Sequence, residues 1–191
     1  MATENSFTIG TKTAAMLTGK TIRTIINWVE SGAIKGEVVS ASNLPHGQIW
    51  EIDISGLAEH IPTELTEELL TCIQKAENGD AAATVCVAIL LYKPESYAIA
   101  LDWFALAAKR GDADAMYWLS EMYLKGHGVK ANFATALRWM ATAAEHGSQS
   151  AQARVDFIHN KINAPLSEEE KKHYQENLGV IRQYAAKFQV K

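Results

Sequence analysis

Laid on itself at an offset of 36 residues, the 191-residue sequence puts Trp103 on Trp139, Leu101 on Leu137, Ala100 on Ala136, Ala107-Ala108 on Ala143-Ala144 and Gly111 on Gly147. Self-similarity at a fixed period restricts the fold more than composition can, because each unit leaves an apolar face that only the next unit covers. A second offset, 32, brings Gly79-Asp80 onto Gly111-Asp112 and Ala83 onto Ala115. The first unit is therefore shorter by four residues, lost from its central turn. That turn reads Lys93-Pro94-Glu95-Ser96 in the first unit and Lys125-Gly126-His127-Gly128-Val129-Lys130 in the second.

Each unit reads as two antiparallel helices. In the second, Ala115, Leu119 and Tyr123, with Trp118 and Met122, fall at helical spacing until Gly126 and Gly128 break the helix. The returning helix carries Phe133, Ala136, Leu137, Met140 and Ala144 and stops at Gly147. A third unit starts at Gly147 and runs to His159, with Ala151 and Val155 on the positions of Ala115 and Leu119. Residues 64–78 read as the second helix of an incomplete earlier unit. The succession Ala115, Leu119, Tyr123, then Gly126-His127-Gly128-Val129, then Ala136-Leu137 with Trp139, then Ala143-Ala144 with Gly147, resembles the Sel1-like repeat, a relative of the tetratricopeptide repeat. The resemblance covers residues 64–159 and implies an α-solenoid whose concave face binds a protein or peptide.

A solenoid needs a terminal cap. Ser167-Glu168-Glu169-Glu170 is a capping box that predicts a helix to Phe188, with Tyr174, Leu178, Ile181, Tyr184 and Phe188 in one stripe. The stripe would close the stack; it could equally bind a partner or pair two copies of the chain into a homodimer.

Residues 7–62 follow another plan. A short lead-in, Phe7 to Gly10, precedes Thr11 as an N-cap and a helix over Thr13–Leu17; Thr18-Gly19-Lys20 turns into a second helix, Thr21–Glu30, stopped by Ser31-Gly32. Two strand-like runs, Glu37–Ser40 and Gln48–Ile52, flank the turn-rich Ser42–Gly47 as a β-hairpin, and Asp53 caps a last helix over Ser55–His60. Thr13-Ala14-Ala15 with Leu17, then Thr24-Ile25, Trp28-Val29, Ser31-Gly32 and Ile34, resemble the excisionase and MerR-type winged helix-turn-helix. That family lays its second helix in the DNA major groove. The fold expected is thus mainly α: a winged helix-turn-helix over residues 1–62, helical repeats over 63–163 and a capping helix over 164–191.

Charge tests the DNA expectation. The whole chain carries a net −4, so contact with DNA would need a local patch. Residues 1–62 hold four basic and six acidic side chains, yet Lys20, Arg23 and Lys35 cluster about the second helix. Lys20 and Thr21 could hold a phosphate at the helix N-terminus; Arg23, Thr24 and Asn27 face the bases, Arg23 suiting guanine and Asn27 adenine; Lys35 and His46 complete the set. Against DNA, Ile26 and Asn27 stand where the family often has arginine. With Ile25, Trp28 and Val29 turned to the core, Ile22 and Ile26 would form an exposed apolar strip suited to protein. On the repeats, Trp118, which aligns with Cys86 rather than an aromatic, marks a partner contact with Tyr117, Glu121 and Met122 beside it.

Nothing points to catalysis. None of the six histidines falls in a metal-binding spacing, and no phosphate loop or nucleophile elbow is present, so neither metal nor cofactor is expected. His127 reads as a solvated loop residue. Trp103 and Trp139 read as core, and Asp112 and Asp114 as helix-start acids. Cys72 and Cys86, in apolar helical runs without a CxxC neighbour, read as buried thiols of a reducing compartment. No signal-like N-terminus or membrane-length run is visible, which makes the cytoplasm the expected location. The first expectation is therefore a non-enzymatic bacterial DNA-binding regulator or adaptor, bound to double-stranded DNA in front and to a protein behind. The alternative is a protein-interaction scaffold in which both parts bind protein.

Overall fold

Ile9 and Ile52 face each other as buried partners across an antiparallel strand pair, and this pair organises the front of the molecule. In the computed structural model, residues 7–40 and 48–163 are described, together with Ser167, Glu169 and Lys172. Strand β1 (Thr8–Gly10) pairs with β3 (Gln48–Asp53), and β2 (Gly36–Ser40) pairs with the other edge of β3. The sequence predicts a two-stranded hairpin; the lead-in joins it, giving a three-stranded sheet in the order β1-β3-β2.

Helix α1 (Thr11–Thr18) buries Ala14, Ala15 and Leu17, and α2 (Ile22–Glu30) buries Ile25. Thr21 caps α2: its hydroxyl accepts the Thr24 N–H at 3.1 Å. The N-cap of α1 is Gly10, not Thr11 as the sequence predicts, and no local side chain caps it. The capping comes from across the fold, where the Glu77 carboxylate accepts the Gly10 N–H at 2.7 Å and the Thr13 hydroxyl. A carboxylate at a helix N-terminus also meets the positive end of the helix dipole. Asp53 caps the next element as expected, accepting the Ser55 N–H, but Ile54–His60 is a 3-10 helix rather than an α-helix. Ile54 and Leu57, three residues apart and so on one side of a coil with three residues per turn, are both buried.

The repeats follow as α3 (Glu67–Glu77), α4 (Ala81–Leu90), α5 (Tyr97–Lys109), α6 (Ala113–Lys125), α7 (Phe133–Glu145) and α8 (Gln149–Asn163). From α3 to α7 each helix packs on the next. Asp80 and Asp112 cap α4 and α6 through the N–H groups of Ala83 and Ala115, which explains the Gly-Asp pair that recurs at the unit starts. Ser148 follows Gly147 at the third start; its hydroxyl donates to the Asp114 carboxylate at 2.8 Å. Small residues occupy the contacts: Ala83, Ala88, Ala100, Ala107, Ala115, Ala136 and Ala143 are buried around Trp103, Phe104 and Leu119.

One expectation fails here. Cys72 and Cys86 are not thiols: they form a disulfide between α3 and α4, with Cα atoms 6.1 Å apart. Phe133 and Leu137 of α7 are 66 % and 37 % exposed, and only Ala136, Met140 and Ala143 of that helix are buried. The apolar arc of α7 is wider than α6 alone can cover. No helix among the described residues is long and apolar enough to cross a membrane.

The chain divides into two compact units, one reaching Ala153 and one starting at Arg154. In the first, the front module and the repeats touch: α1 packs on α5, α3 on β1, and Gly19 lies against the Ile99 side chain. The described part of the second is chiefly the remainder of α8. The helix predicted over Ser167–Phe188, with its stripe from Tyr174 to Phe188, lies outside the described residues apart from Ser167, Glu169 and Lys172. Because Glu77 is exposed, its link is worth only about 1 kcal/mol. Glu77→Ala should lower Tm by about 2–4 °C, whereas Glu67→Ala, at an exposed position in the first turn of α3, should fall by less in the same melt.

Candidate interaction surfaces

Helix α2 presents two neighbouring stripes to solvent. Its period places Ile22 and Ile26 on one line and Arg23 and Asn27 on the next, while Ile25 turns inward. Ile22 is 47 % exposed and Ile26 half-buried; Arg23 and Asn27 are exposed. Trp28 and Val29 are half-buried, and Trp28 stacks on His60 with ring centroids 4.2 Å apart. Lys20 and Thr21, just before the helix, and Lys35, after it, are also exposed. Thr24 is half-buried, and its hydroxyl shares a hydrogen bond with that of Thr21 at 2.9 Å, so both hydroxyls serve the cap. Among the described residues, no ion pair engages Lys20, Arg23 or Lys35. His46 lies outside the described residues. The face is therefore an apolar strip edged by unneutralised positive charge.

The contact set predicted on α6 is largely spent inside the protein. Met122 is fully buried and Glu121 nearly so; neither can reach a partner while α6 stays packed. Glu121 pairs with Lys125 at 2.8 Å, and this hydrogen bond holds the Lys125 ammonium above its ordinary pKa. Trp118 is half-buried, stacked on Phe104 at 5.3 Å and meeting Tyr92 edge-on at 5.2 Å. Tyr117 is half-buried too. Trp118, expected as a partner contact, is thus also a wall of an aromatic cluster, with only part of its surface left to solvent.

The cluster also corrects His127. Half-buried rather than fully solvated, its ring lies flat on Tyr97, with centroids 4.1 Å apart and planes 4° from parallel, and its Nδ1 is 2.6 Å from the Tyr92 hydroxyl. Burial raises the Tyr92 pKa. The sequence holds the signal for this, since Tyr92 and Tyr97 bracket the shortened turn of the first unit. Only the approach of two consecutive turns joins them to His127.

A third surface was not foreseen. On α7, Thr135, Arg138, Trp139 and Thr142 line an open groove of about 330 Å³. Phe133 and Leu137 lie on the opposite margin of that helix's buried face.

Comparison with known proteins agrees with the repeat geometry. The Sel1 repeat model matches residues 91–112 and 113–148. No curated protein matches. Among solved structures, a protective antigen of uropathogenic Escherichia coli displaying an SLR fold is 30 % identical over 55 % of this chain and 23 % of its own, with a TM-score of 0.45. A Sel1 repeat protein from Oxalobacter formigenes is 21 % identical over 64 % of this chain and 54 % of its own, with a TM-score of 0.47. The chain thus spans less than a quarter of the first and about half of the second. The turn glycines, the small-residue contacts and the family match converge on one statement: residues 91–148 of this mainly helical chain carry Sel1 repeats.

Proposed function

We propose that this protein is a non-enzymatic adaptor that binds protein at two places, the Sel1 repeats and the outer face of α2. Sel1 repeat proteins generally mediate protein–protein interaction and are typically scaffolds. The observation that carries the reading for the front module is the strip of exposed Ile22 and half-buried Ile26 beside Lys20 and Arg23. A phosphate-lined groove gains nothing from isoleucine, whereas a partner's apolar side chain gains about 1.5–3 kcal/mol for each large side chain removed from water. Edging positive charge then steers the approach of a partner with acidic residues around its apolar contact. The element order of residues 7–62, which resembles a winged helix-turn-helix, serves in this reading as a rigid mount for α2, with DNA recognition given up.

Binding by the full chain, tested with Ile22→Asp/Ile26→Asp and Arg23→Ala forms, separates the readings. Partner capture should fall at least tenfold with the double aspartate and change less than threefold with Arg23→Ala, while random duplex DNA is not shifted even at low salt. Duplex binding that disappears with Arg23→Ala and weakens steeply with salt would establish the helix as a DNA reader instead.

A further inference from the structure

Helix α3 is held from three sides. Its Cys72 is bonded to Cys86 of α4. The carboxylate of Glu77, at its C-terminal end, binds Gly10 and Thr13 of the front module. Arg110, at the end of α5, donates to the Ala76 carbonyl at 2.9 Å and to the Thr84 hydroxyl of α4. The α3–α4 pair, whose α3 packs on β1 of the front module, precedes the segments matched as Sel1 repeats. Its packing rests on a short apolar set, Leu69, Ile73 and Ala76 of α3 against Ala83, Val87 and Ala88 of α4. Both cysteines are half-buried rather than enclosed in the core.

We infer that the Cys72–Cys86 bond is a thiol–disulfide exchange site that sets how firmly the front module is held against the repeats. A dithiol reductant supplies the two electrons. One of its thiolates attacks either sulfur and forms a mixed disulfide while the other cysteine leaves as a thiolate. The second thiol of the reductant then displaces the remaining cysteine, giving two protein thiols and an oxidised reductant. Oxidised, the bond ties α3 to α4 across a sequence separation of 14. A crosslink over a loop of this length disfavours opening of the pair by on the order of a hundredfold. Reduced, α3 relies on its apolar contacts and on the Arg110 and Glu77 hydrogen bonds, and local opening of α3 carries Glu77 away from Gly10 and Thr13. This inference concerns the holding of the module and stands whether or not α2 binds protein.

Amide hydrogen exchange on the full chain tests it, comparing protein oxidised with glutathione disulfide, protein treated with dithiothreitol, and the Cys72→Ser/Cys86→Ser variant. Thiol titration should find no free thiol in the oxidised form and two after reduction. Reduction should speed exchange at least tenfold over α3 and about threefold to fivefold over β1 and α1, with less than twofold change over α6 and α7, and the double serine should match the reduced form. Three results overturn the inference: two thiols that glutathione disulfide does not join, a change spread evenly over all helices, or a faster α3 with β1 and α1 unaltered. If the double serine does not fold, the reduced wild type alone decides between these outcomes.

Discussion

Gly128→Ala is expected to lower Tm by about 6–20 °C, a loss of about 3–5 kcal/mol. Two causes add. The backbone at Gly128 has φ +71°, the left-handed region that costs a residue bearing a Cβ about 1–2 kcal/mol. A Cβ there would also lie 2.5 Å from the carbonyl carbon and oxygen of Tyr97 and 2.6 Å from the Ala98 nitrogen. These are backbone atoms at the first turn of α5 and cannot rotate aside. Relief would need the turn after α6 to lift from α5, which would pull His127 off the Tyr97 ring and away from the Tyr92 hydroxyl. Gly111→Ala separates the two causes, because φ is +90° there and nothing lies within 4 Å of the added carbon. That variant should lose only about 1–2 kcal/mol by calorimetry or thermal circular dichroism. Equal losses for the two variants would mean that the turn does not press on Tyr97.

The same turn shows what the sequence could and could not reveal. Gly126 and Gly128 announce a helix stop, and the 36-residue offset places that stop between paired helices. Neither says that the second glycine is needed because the preceding unit's helix passes underneath. That requirement belongs to the stacking of units, not to the turn. Glu77 was hidden for the same reason: an N-cap is sought next to its helix, and this one arrives from a helix more than sixty residues away. Cys72 and Cys86 each sit in a run that reads correctly as helix, and only the hairpin between α3 and α4 brings them together. Reading them as separate thiols weighed compartment and spacing but not that approach.

Periodicity had a narrower limit. It identifies which side of a helix is apolar but not how much of that side a neighbour covers. On α2 spacing separates exposed Ile22 from buried Ile25, but Ile26, expected on the outer strip, is half-buried like Trp28 and Val29, which were expected in the core. On α6, Trp118 and Met122 are four residues apart, and both lie over the core, Met122 wholly and Trp118 in part. The missing aromatic at Cys86 marks Trp118 as unusual, and the structure places it in a wider aromatic cluster. On α7, periodicity groups Phe133 with Ala136, Leu137 and Met140, yet Phe133 is 66 % exposed.

Phe104→Ala is the second large effect expected, and it tests whether that aromatic cluster joins the units. Phe104 is fully buried on α5, stacked on Trp118 of α6 and 6.4 Å from the Tyr92 ring that follows α4. Removing its ring takes away transfer free energy and leaves a cavity, together about 3–5 kcal/mol, with about 1 kcal/mol more for the aromatic pairing. The surroundings cannot collapse cheaply: Trp118 is also in contact with Tyr92, and Tyr92 is anchored through its hydroxyl to His127. A Tm fall of about 8–24 °C is expected, with a red shift in tryptophan emission as water reaches Trp118. Phe133→Ala removes the same side chain from a site that is 66 % exposed and should change stability by less than about 0.5 kcal/mol. Should Phe104→Ala cost no more than Phe133→Ala, the stacked rings would not be what joins one repeat to the next, and the small-residue contacts among α5, α6 and α7 would have to do so alone.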